Sequence, residues 1–238
     1  MTLRPRQEWG TILWEPDVYG RTHLGAPLEV WRPAGACTLL IFAGIHGEEP
    51  ETTFALSRAL RQLSTPSPHA AVVLAANPDG LIRGTRGNAR GVELNRNFPT
   101  ADWQPHPVPH RSTLDDPRDV LLSPGPHPGS EPETQALIRL IGELEPKAVI
   151  SLHAPLACID DANASPLGQW LADRTGLPFV QDVGYPTPGS FGTWGREHGV
   201  PVITYEFEMT NTDAIVRKHV PVLVELLTRW PWAVGRQP

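Results

Sequence analysis

Three consecutive segments alternate between strand and helix patterns, and this order constrains the fold more than any other feature of the chain. The segment "CTLLIFAG" (37–44) is nearly all apolar, which is typical of a strand buried on both faces. The segment "PETTFALSRALRQL" (50–63) has apolar residues at helical spacing and a proline in its first turn, and "AAVVLAA" (70–76) is a second buried strand. This order predicts a βαβ unit, and therefore a largely parallel sheet flanked by helices.

The same patterns continue along the chain on both sides of a long irregular segment. Regular pattern is nearly absent from Asn77 to Ser130, and the segment from Pro99 to Pro128 contains eight prolines. A connection of this length inside a domain is usually functional. Because the chain has no repeat and no linker, we predict one α/β domain over residues 1–238, with a mixed, mostly parallel twisted sheet flanked by helices. Further strands are predicted at 27–33, 148–152 and 201–207, and helices from Ser130 as the N-cap of a capping box, around 166–175, and from about Thr212 to Trp230.

Composition excludes several classes of partner. The net charge of −6 argues against a nucleic-acid backbone as partner, because such binding draws on clustered lysine and arginine. No apolar run approaches the roughly 20 residues of a membrane span, and the N-terminus lacks the apolar region of a secretory signal. Cys37 and Cys158 are too few for a disulfide framework. We therefore expect a cytoplasmic protein with no nucleic-acid and no membrane partner.

Two distant histidines follow apolar strands, and a glutamate accompanies the first. His46 comes after the strand at 37–44, and His153 directly follows "AVISL". In open α/β sheets ligands bind just beyond the carboxyl ends of the strands, so these imidazoles can meet, with Glu49 turned towards them. Two imidazoles and one carboxylate suit Zn²⁺ and leave one position open for catalysis. The alternative is a solvated turn at 46–49 and an ordinary loop histidine at 153.

Four motifs occur in an order that resembles the zinc metallocarboxypeptidases. They are "HGEE" (46–49), "NPDG" (77–80), "TRGNARGVELNRNFP" (85–99) and "SLHAPLACIDD" (151–161), and the resemblance covers roughly residues 38–208. It implies a zinc-carboxypeptidase-like fold and one Zn²⁺ per chain. His46, Glu49 and His153 resemble the zinc ligands of that family.

The resemblance also implies roles for residues around the metal. Arg86 resembles the arginine that stabilises the oxyanion formed when an amide carbonyl is attacked. Asn95 and Arg96 resemble the pair that binds the terminal carboxylate of the substrate, for which a guanidinium fork is well shaped. Without the resemblance, "LNRN" could be turn chemistry. Tyr185 has the spacing to Trp194 of the family's substrate-covering tyrosine, and a structural tyrosine is the alternative.

A general base is predicted on the strand "VITYEFE". Strand side chains alternate, so Glu206 and Glu208 are expected on one face. The family's T-x-E pattern matches Thr204 and Glu206, which makes Glu206 the predicted base and Glu208 the second choice. The alternative is an edge strand with a solvated, charged face.

One position departs from the family pattern. Glu93 stands where the family has aspartate, a residue resembling the group that hydrogen-bonds a zinc-binding histidine. The extra methylene requires either a backbone adjustment or a changed contact. The remaining histidines, including His106, His110, His127 and His219, are expected in loops, turns or helix surfaces, not in a second metal site.

The resemblance implies a zinc-dependent hydrolase acting on a small peptide with a free C-terminal carboxylate. The short length, "LHAPLACIDD" and "GYPTPGSFGTW" (184–194) are similar to members that cleave the γ-D-glutamyl–meso-diaminopimelate bond of L-Ala-γ-D-Glu-meso-diaminopimelate in cell-wall recycling. Asp160 or Asp161 could then receive the side-chain amine of diaminopimelate. The rival function is an aspartoacylase- or succinylglutamate desuccinylase-like zinc deacylase of small N-acyl amino acids. A different class is a non-catalytic module that binds wall peptides.

Overall fold

The computed structural model, which describes residues 3–111 and 119–229, contains the predicted strand–helix–strand unit. The strands in these ranges are β1 (Asp17–Arg21), β2 (Pro27–Val30), β3 (Leu39–Phe42), β4 (Ala70–Val73), β5 (Val108–Arg111), β6 (Asp119–Leu122), β7 (Ala148–His153), β8 (Ile159–Asp160), β9 (Phe179–Val180) and β10 (Val202–Glu206). The helices are α1 (Pro50–Leu60), α2 (Pro78–Arg83), α3 (Pro132–Leu144), α4 (Pro166–Thr175), α5 (Phe191–Glu197) and α6 (Thr212–Thr228). None of these helices combines the length and apolar content needed to cross a membrane.

Six strands form the central sheet in the order β4-β3-β7-β10-β8-β9. Neighbouring strands are parallel except β10 and β8, which pair antiparallel. The prediction of a single α/β domain with a mixed, mostly parallel sheet is therefore confirmed. Two further antiparallel pairs, β1 with β2 and β5 with β6, lie outside this sheet.

Alternation along the central strands sends side chains into two separate apolar cores. On β3, Leu39 and Ile41 face a core shared with α1, α4 and α6, whereas Leu40 and Phe42 face a core shared with α3 and α5. All four side chains are fully buried, and burying a side chain of this size stabilises the fold by about 1.5–3 kcal/mol. This two-sided burial explains why β3 has no polar residue.

The segment from Asn77 to Ser130 has more regular structure than the sequence predicts. It contains α2 and the β5–β6 hairpin. Asn77 caps α2 by accepting a hydrogen bond from the Gly80 amide at 3.0 Å, but a helix of six residues is too short to show an apolar period. Prolines in and around β5 interrupt the residue pattern that would predict a strand there.

One predicted helix end needs correction, and another lies outside the described residues. Helix α3 begins at Pro132 with Glu131 at the N-cap, so Ser130 is not the N-cap; its hydroxyl donates to Glu131 Oε1 at 2.7 Å instead. Helix α6 is described to Thr228, and its predicted end at Trp230 lies outside the described residues.

Gly47 lies where the turn after β3 packs against α2. A Cβ atom at Gly47 would lie 2.1 Å from the Gly80 carbonyl carbon and 2.4 Å from the Leu81 amide nitrogen, both of which are backbone atoms. We expect Gly47→Ala to lower the free energy of unfolding by about 2–3 kcal/mol, because overpacking a close contact usually costs 1–3 kcal/mol. Chemical denaturation measures this change.

Gly142→Ala is the matched control. Gly142 is exposed within α3, and an added Cβ there meets no atom within 4 Å. Replacing a helical glycine by alanine should stabilise the protein by up to about 1 kcal/mol. Equal stability of the two variants would contradict the close contact between the turn and α2.

Candidate active site

The candidate residues gather at the carboxyl edge of the sheet. His153 ends β7 and Glu206 ends β10, and the parallel register of these strands pairs the two residues directly. Strand β3 ends at Phe42, and the chain then turns through Gly44, whose φ of +64° favours glycine, to reach His46. His46 therefore lies four residues beyond the end of its strand, whereas the sequence pattern predicts it immediately after the strand.

Three side chains at this edge form a compact cluster. His46 Nδ1 lies 2.7 Å from Glu49 Oε1 and 3.1 Å from His153 Nδ1, and the His153 atom lies 3.3 Å from Glu49 Oε2. One ligand atom from each residue lies within 4.8 Å of the other two, and all three residues are buried. The alternative of a solvated turn is thereby excluded. Two imidazole nitrogens and a carboxylate form a donor set that fits Zn²⁺.

Each of the two imidazoles has a polar partner on the side that faces away from the cluster. His46 Nε2 lies 3.0 Å from Glu93 Oε1, and His153 Nε2 lies 2.8 Å from the Ser151 hydroxyl oxygen. Each ring thus presents Nδ1 to the cluster and Nε2 to a fixed partner, which orients a metal-binding histidine. The longer side chain of Glu93 keeps a carboxylate beside His46 and uses its other oxygen to accept a hydrogen bond from Arg86 Nε.

The carboxylates around His46 favour positive charge at the centre of the cluster. Burial lowers the pKa of His46, as does Arg86, but Glu49 and Glu93 outweigh both and raise it to about 9. Burial opposes ionisation of Glu49, yet His46 and His153 hold the pKa of Glu49 well below its usual value. A divalent cation between these groups would satisfy the same demand for positive charge.

Arg86 is fixed beside the cluster. Its guanidinium contacts Glu48 Oε1 at 3.1 Å and Glu49 Oε1 at 3.2 Å, in addition to Glu93. Burial disfavours the cation, but Glu93, Glu49 and Glu48 outweigh it and raise the pKa of Arg86. Arg86 therefore supplies a permanent positive charge next to the candidate metal ligands.

A cavity of about 250 Å³ opens beside Arg86. Arg96 lines it, and the Nε atom of Arg96 is buried without a hydrogen-bond partner among the described residues. Burial lowers the pKa of Arg96, so an anionic ligand would stabilise this partly buried cation. The other lining residues are Glu93, Val108, Pro109, His110, Leu122 and Tyr185.

Two further predicted substrate-binding residues lie near Arg96. Tyr185 lines the cavity and is 49% exposed, which does not suit a tyrosine that serves only the core. Asn95 accepts a hydrogen bond from the Phe191 amide on Oδ1 at 2.8 Å. This contact fixes Asn95 against α5 and leaves its NH₂ group as the available donor.

The structure separates the two candidate bases. Glu206 is buried, accepts a hydrogen bond from the Leu156 amide at 3.2 Å, and lies beside His153 in register. Burial raises the pKa of Glu206, while His153 lowers it. Glu208 instead contacts His219 Nε2 at 2.7 Å and Lys218 Nζ at 3.0 Å. The prediction that both glutamates share one face is wrong, because β10 ends at Glu206 and strand alternation stops there.

Sequence reasoning missed two histidines. His219 was expected on a helix surface but is fully buried, with Nδ1 2.6 Å from the Tyr205 hydroxyl oxygen. Its place on the apolar stripe of α6, four residues after Ile215 and four before Leu223, could have predicted its burial. His110 was expected on a loop surface but lines the cavity, with Nε2 2.7 Å from Glu48 Oε1. No sequence signal marks it.

Substitution of Glu93 tests the bridge between His46 and Arg86. We expect Glu93→Gln to weaken zinc binding by about 10–100-fold, because the carboxylate that orients the histidine is lost while its shape is kept. Competition with a chromophoric chelator measures the affinity. Glu93→Asp keeps the charge and should lose less affinity; a Gln variant that binds zinc as tightly as the wild type would contradict this role.

Comparisons with known proteins agree with this geometry. The profile of the zinc carboxypeptidase family matches residues 20–157. Murein peptide amidase A of Escherichia coli is 47% identical over 231 residues, covering 95% of this chain and 95% of that protein. Murein peptide amidase A of Vibrio campbellii is 43% identical over 235 residues, covering 97% of this chain and 94% of that protein.

Solved structures give the same result at two levels of similarity. The crystal structure of murein-tripeptide amidase MpaA from Escherichia coli matches with a TM-score of 0.91 and 44% identity, covering 98% of this chain and 99% of that one. Bovine thrombin-activatable fibrinolysis inhibitor matches with a TM-score of 0.69 and 18% identity over 90% of this chain and 88% of that one, and so shares the fold. The resemblance seen in the motifs is confirmed, and this chain belongs to the zinc carboxypeptidase family.

Proposed function

We propose that this protein is an amidase that cleaves the γ-D-glutamyl–meso-diaminopimelate bond of the murein tripeptide L-Ala-γ-D-Glu-meso-diaminopimelate. Its family makes it a zinc metallopeptidase, and the relatives at 43–47% identity are murein peptide amidases. The observation that carries the proposal is the buried cluster of His46, Glu49 and His153 beside a cavity lined by Arg86 and Arg96.

His46, Glu49 and His153 are the proposed zinc ligands. When bound, the metal would polarise the scissile carbonyl and acidify a water molecule at the open position. Glu93 and Ser151 hold the two imidazoles in the orientation that presents Nδ1 inward. These contacts limit the rotation of both rings, so less ordering is needed when the metal binds.

Arg96, Asn95 and Tyr185 are the proposed substrate-binding residues. The buried, unpartnered Nε of Arg96 offers a donor to the terminal carboxylate, and the free NH₂ group of Asn95 offers a second. A carboxylate receiving two charge-assisted or polar donors is fixed in direction as well as position. Tyr185 would cover the bound peptide from the exposed side of the cavity.

Glu206 and Arg86 are the proposed catalytic residues. Glu206 would take a proton from the attacking water as the water oxygen bonds to the carbonyl carbon. Arg86 would stabilise the negative charge that forms on the carbonyl oxygen, a contribution of about 3 kcal/mol by analogy with oxyanion-hole donors. Glu206 then gives its proton to the departing amine as the C–N bond breaks, releasing L-Ala-D-Glu and meso-diaminopimelate.

The cellular setting belongs to the same proposal. We place the reaction in the cytoplasm, where tripeptides from the wall would be recycled, and we assign residues 1–238 to one catalytic domain. The two cysteines, Cys37 and Cys158, are both free thiols, which is consistent with a reducing compartment. The relatives support the amidase and not the deacylase alternative, and the candidate ligands, arginines and base argue against a module that only binds wall peptides.

Product analysis tests the proposal directly. Purified, zinc-loaded protein is incubated separately with the tripeptide and with N-succinylglutamate. We expect release of meso-diaminopimelate and no release of succinate, with activity lost on chelation and restored by zinc. Cleavage of neither compound, or of N-succinylglutamate alone, would overturn the proposal.

The assignment of Glu206 as the base predicts a specific pair of variants. We expect Glu206→Gln to lower kcat by about 10²–10⁴-fold, which is the usual contribution of a positioned base. Its zinc content and thermal stability should stay close to those of the wild type, since the glutamine can still accept from the Leu156 amide. Steady-state kinetics and metal analysis measure both.

Glu208→Gln is the control for this variant. Glu208 lies two residues away but contacts His219 and Lys218 and not the cluster, so its substitution should have little effect on kcat. If kcat falls further in the Glu208 variant than in the Glu206 variant, Glu206 is not the base and Glu208 takes that assignment.

A further inference from the structure

Asp160 lies on the same side of the sheet as the proposed base. The antiparallel register of β8 and β10 pairs Asp160 with Thr204, and Thr204 lies two residues before Glu206. Residues opposite each other in a pair share a face, as do residues two apart on a strand. Their neighbours Ile159 and Tyr205 form the adjacent pair and are both buried in the core on the other face.

Cys158 lies opposite Glu206, and its carbonyl accepts a hydrogen bond from the Glu206 amide at 2.9 Å. Cys158 is two residues before Asp160 and buried. Burial raises the pKa of its thiol to about 11, with Glu206 and then Asp160 as the further causes. Cys158 is therefore close to both carboxylates, and Asp160 and Glu206 occupy neighbouring positions on adjacent strands.

Asp160 and its neighbour Asp161 have different surroundings. Asp161 is fully buried and accepts hydrogen bonds from the Asn163 amide at 3.0 Å and from the amide and hydroxyl of Ser165 at 2.8 and 2.5 Å. It is therefore occupied in closing the loop before α4. The side chain of Asp160 is half-buried and makes no hydrogen bond or ion pair with the described residues.

The charges around Asp160 favour a cationic ligand. Burial raises the pKa of Asp160 to about 6, with Asp182 and Asp161 adding to the rise and His153 opposing it. The carboxylate is thus partly desolvated beside two others, and no lysine or arginine of the described residues pairs with it. An ammonium group bound to Asp160 would compensate for the lost solvation of the carboxylate and offset the repulsion from the other two.

We propose that Asp160 binds the ammonium group on the side chain of the substrate's C-terminal residue and so selects peptides that end in a diamino acid. This proposal rests on the proposed function, which puts the terminal carboxylate at Arg96 and the scissile carbonyl beside Arg86 and the metal ligands. The cavity wall there carries Arg86, Arg96 and His110. Asp160 lies outside that lining, on β8 beside the strand of Glu206, and would meet a terminal side chain that runs from the scissile bond towards β8. Diaminopimelate carries its second amine at the end of a flexible chain of three methylenes and can reach such a partner.

A pair of peptides tests the selectivity. One is L-Ala-γ-D-Glu-meso-diaminopimelate, and the other ends in L-2-aminopimelate, which lacks only the distal amine. We expect the wild type to prefer the first peptide in kcat/KM by about 10–100-fold, the range for a hydrogen bond between charged groups. In Asp160→Asn this ratio should fall towards one, whereas Asp160→Glu should retain part of it.

Asp182→Asn is the matched control. Asp182 is exposed and accepts a hydrogen bond from the Gly184 amide, so its substitution should leave the preference largely intact. Zinc content and thermal unfolding report whether each variant is folded. Should the Asn variant fail to fold, the wild-type ratio and the Glu variant decide the question.

The outcomes separate this proposal from the proposed function. Cleavage of both peptides by the wild type with equal kcat/KM overturns the role of Asp160 and leaves the amidase activity standing. If a folded Asp160→Asn variant still prefers the diaminopimelate peptide to the same degree, the role of Asp160 is likewise overturned and the amidase activity stands. Cleavage of neither peptide by the zinc-loaded wild type overturns the proposed function itself.

Discussion

The parallel pairing of β7 with β10 is the constraint on which the site depends. It aligns His153 with Glu206 at the same sheet edge, although 53 positions in the numbering separate them. Each strand ends on its functional residue, so neither side chain relies on a loop for its position. The loops that carry His46 and Arg86 pack against this rigid sheet edge. Side chains from distant parts of the chain are therefore kept within contact distance of one another.

The second constraint is charge balance in a buried place. Glu49 and Glu93 are both almost fully buried, and such carboxylates are tolerated only when cations or strong donors surround them. Arg86 and His46 supply part of that compensation. The longer acid at position 93 reaches both partners at once, which links the orientation of a candidate metal ligand to that of a candidate catalytic arginine. A substitution that moves His46 is therefore expected to move Arg86 as well, and the reverse.

The central strands and the main helices could be predicted from sequence because each depends on a local pattern, whereas most of the candidate site residues were implied by the resemblance of the motifs to a known family. Apolar runs predict β3 and β7, and the motif order predicts His46, Glu49 and His153. The β5–β6 hairpin and the cavity position of His110 could not be predicted, since they depend on where a proline-rich segment packs. The separate surroundings of Glu206 and Glu208 depend on where β10 ends, and strand ends are set by tertiary contacts more than by residue type.

The β5–β6 hairpin contributes one wall of the cavity through Val108, Pro109, His110 and Leu122, yet it adds no strand to the central sheet. The parts of the molecule that perform chemistry and the part that shapes the entrance therefore belong to different structural units. Insertions, deletions or exchanges in this wall can alter which peptides are admitted without disturbing the apolar layers, as long as the contact from His110 through Glu48 to Arg86 is kept. Selectivity in this architecture is free to diverge while the reaction stays the same.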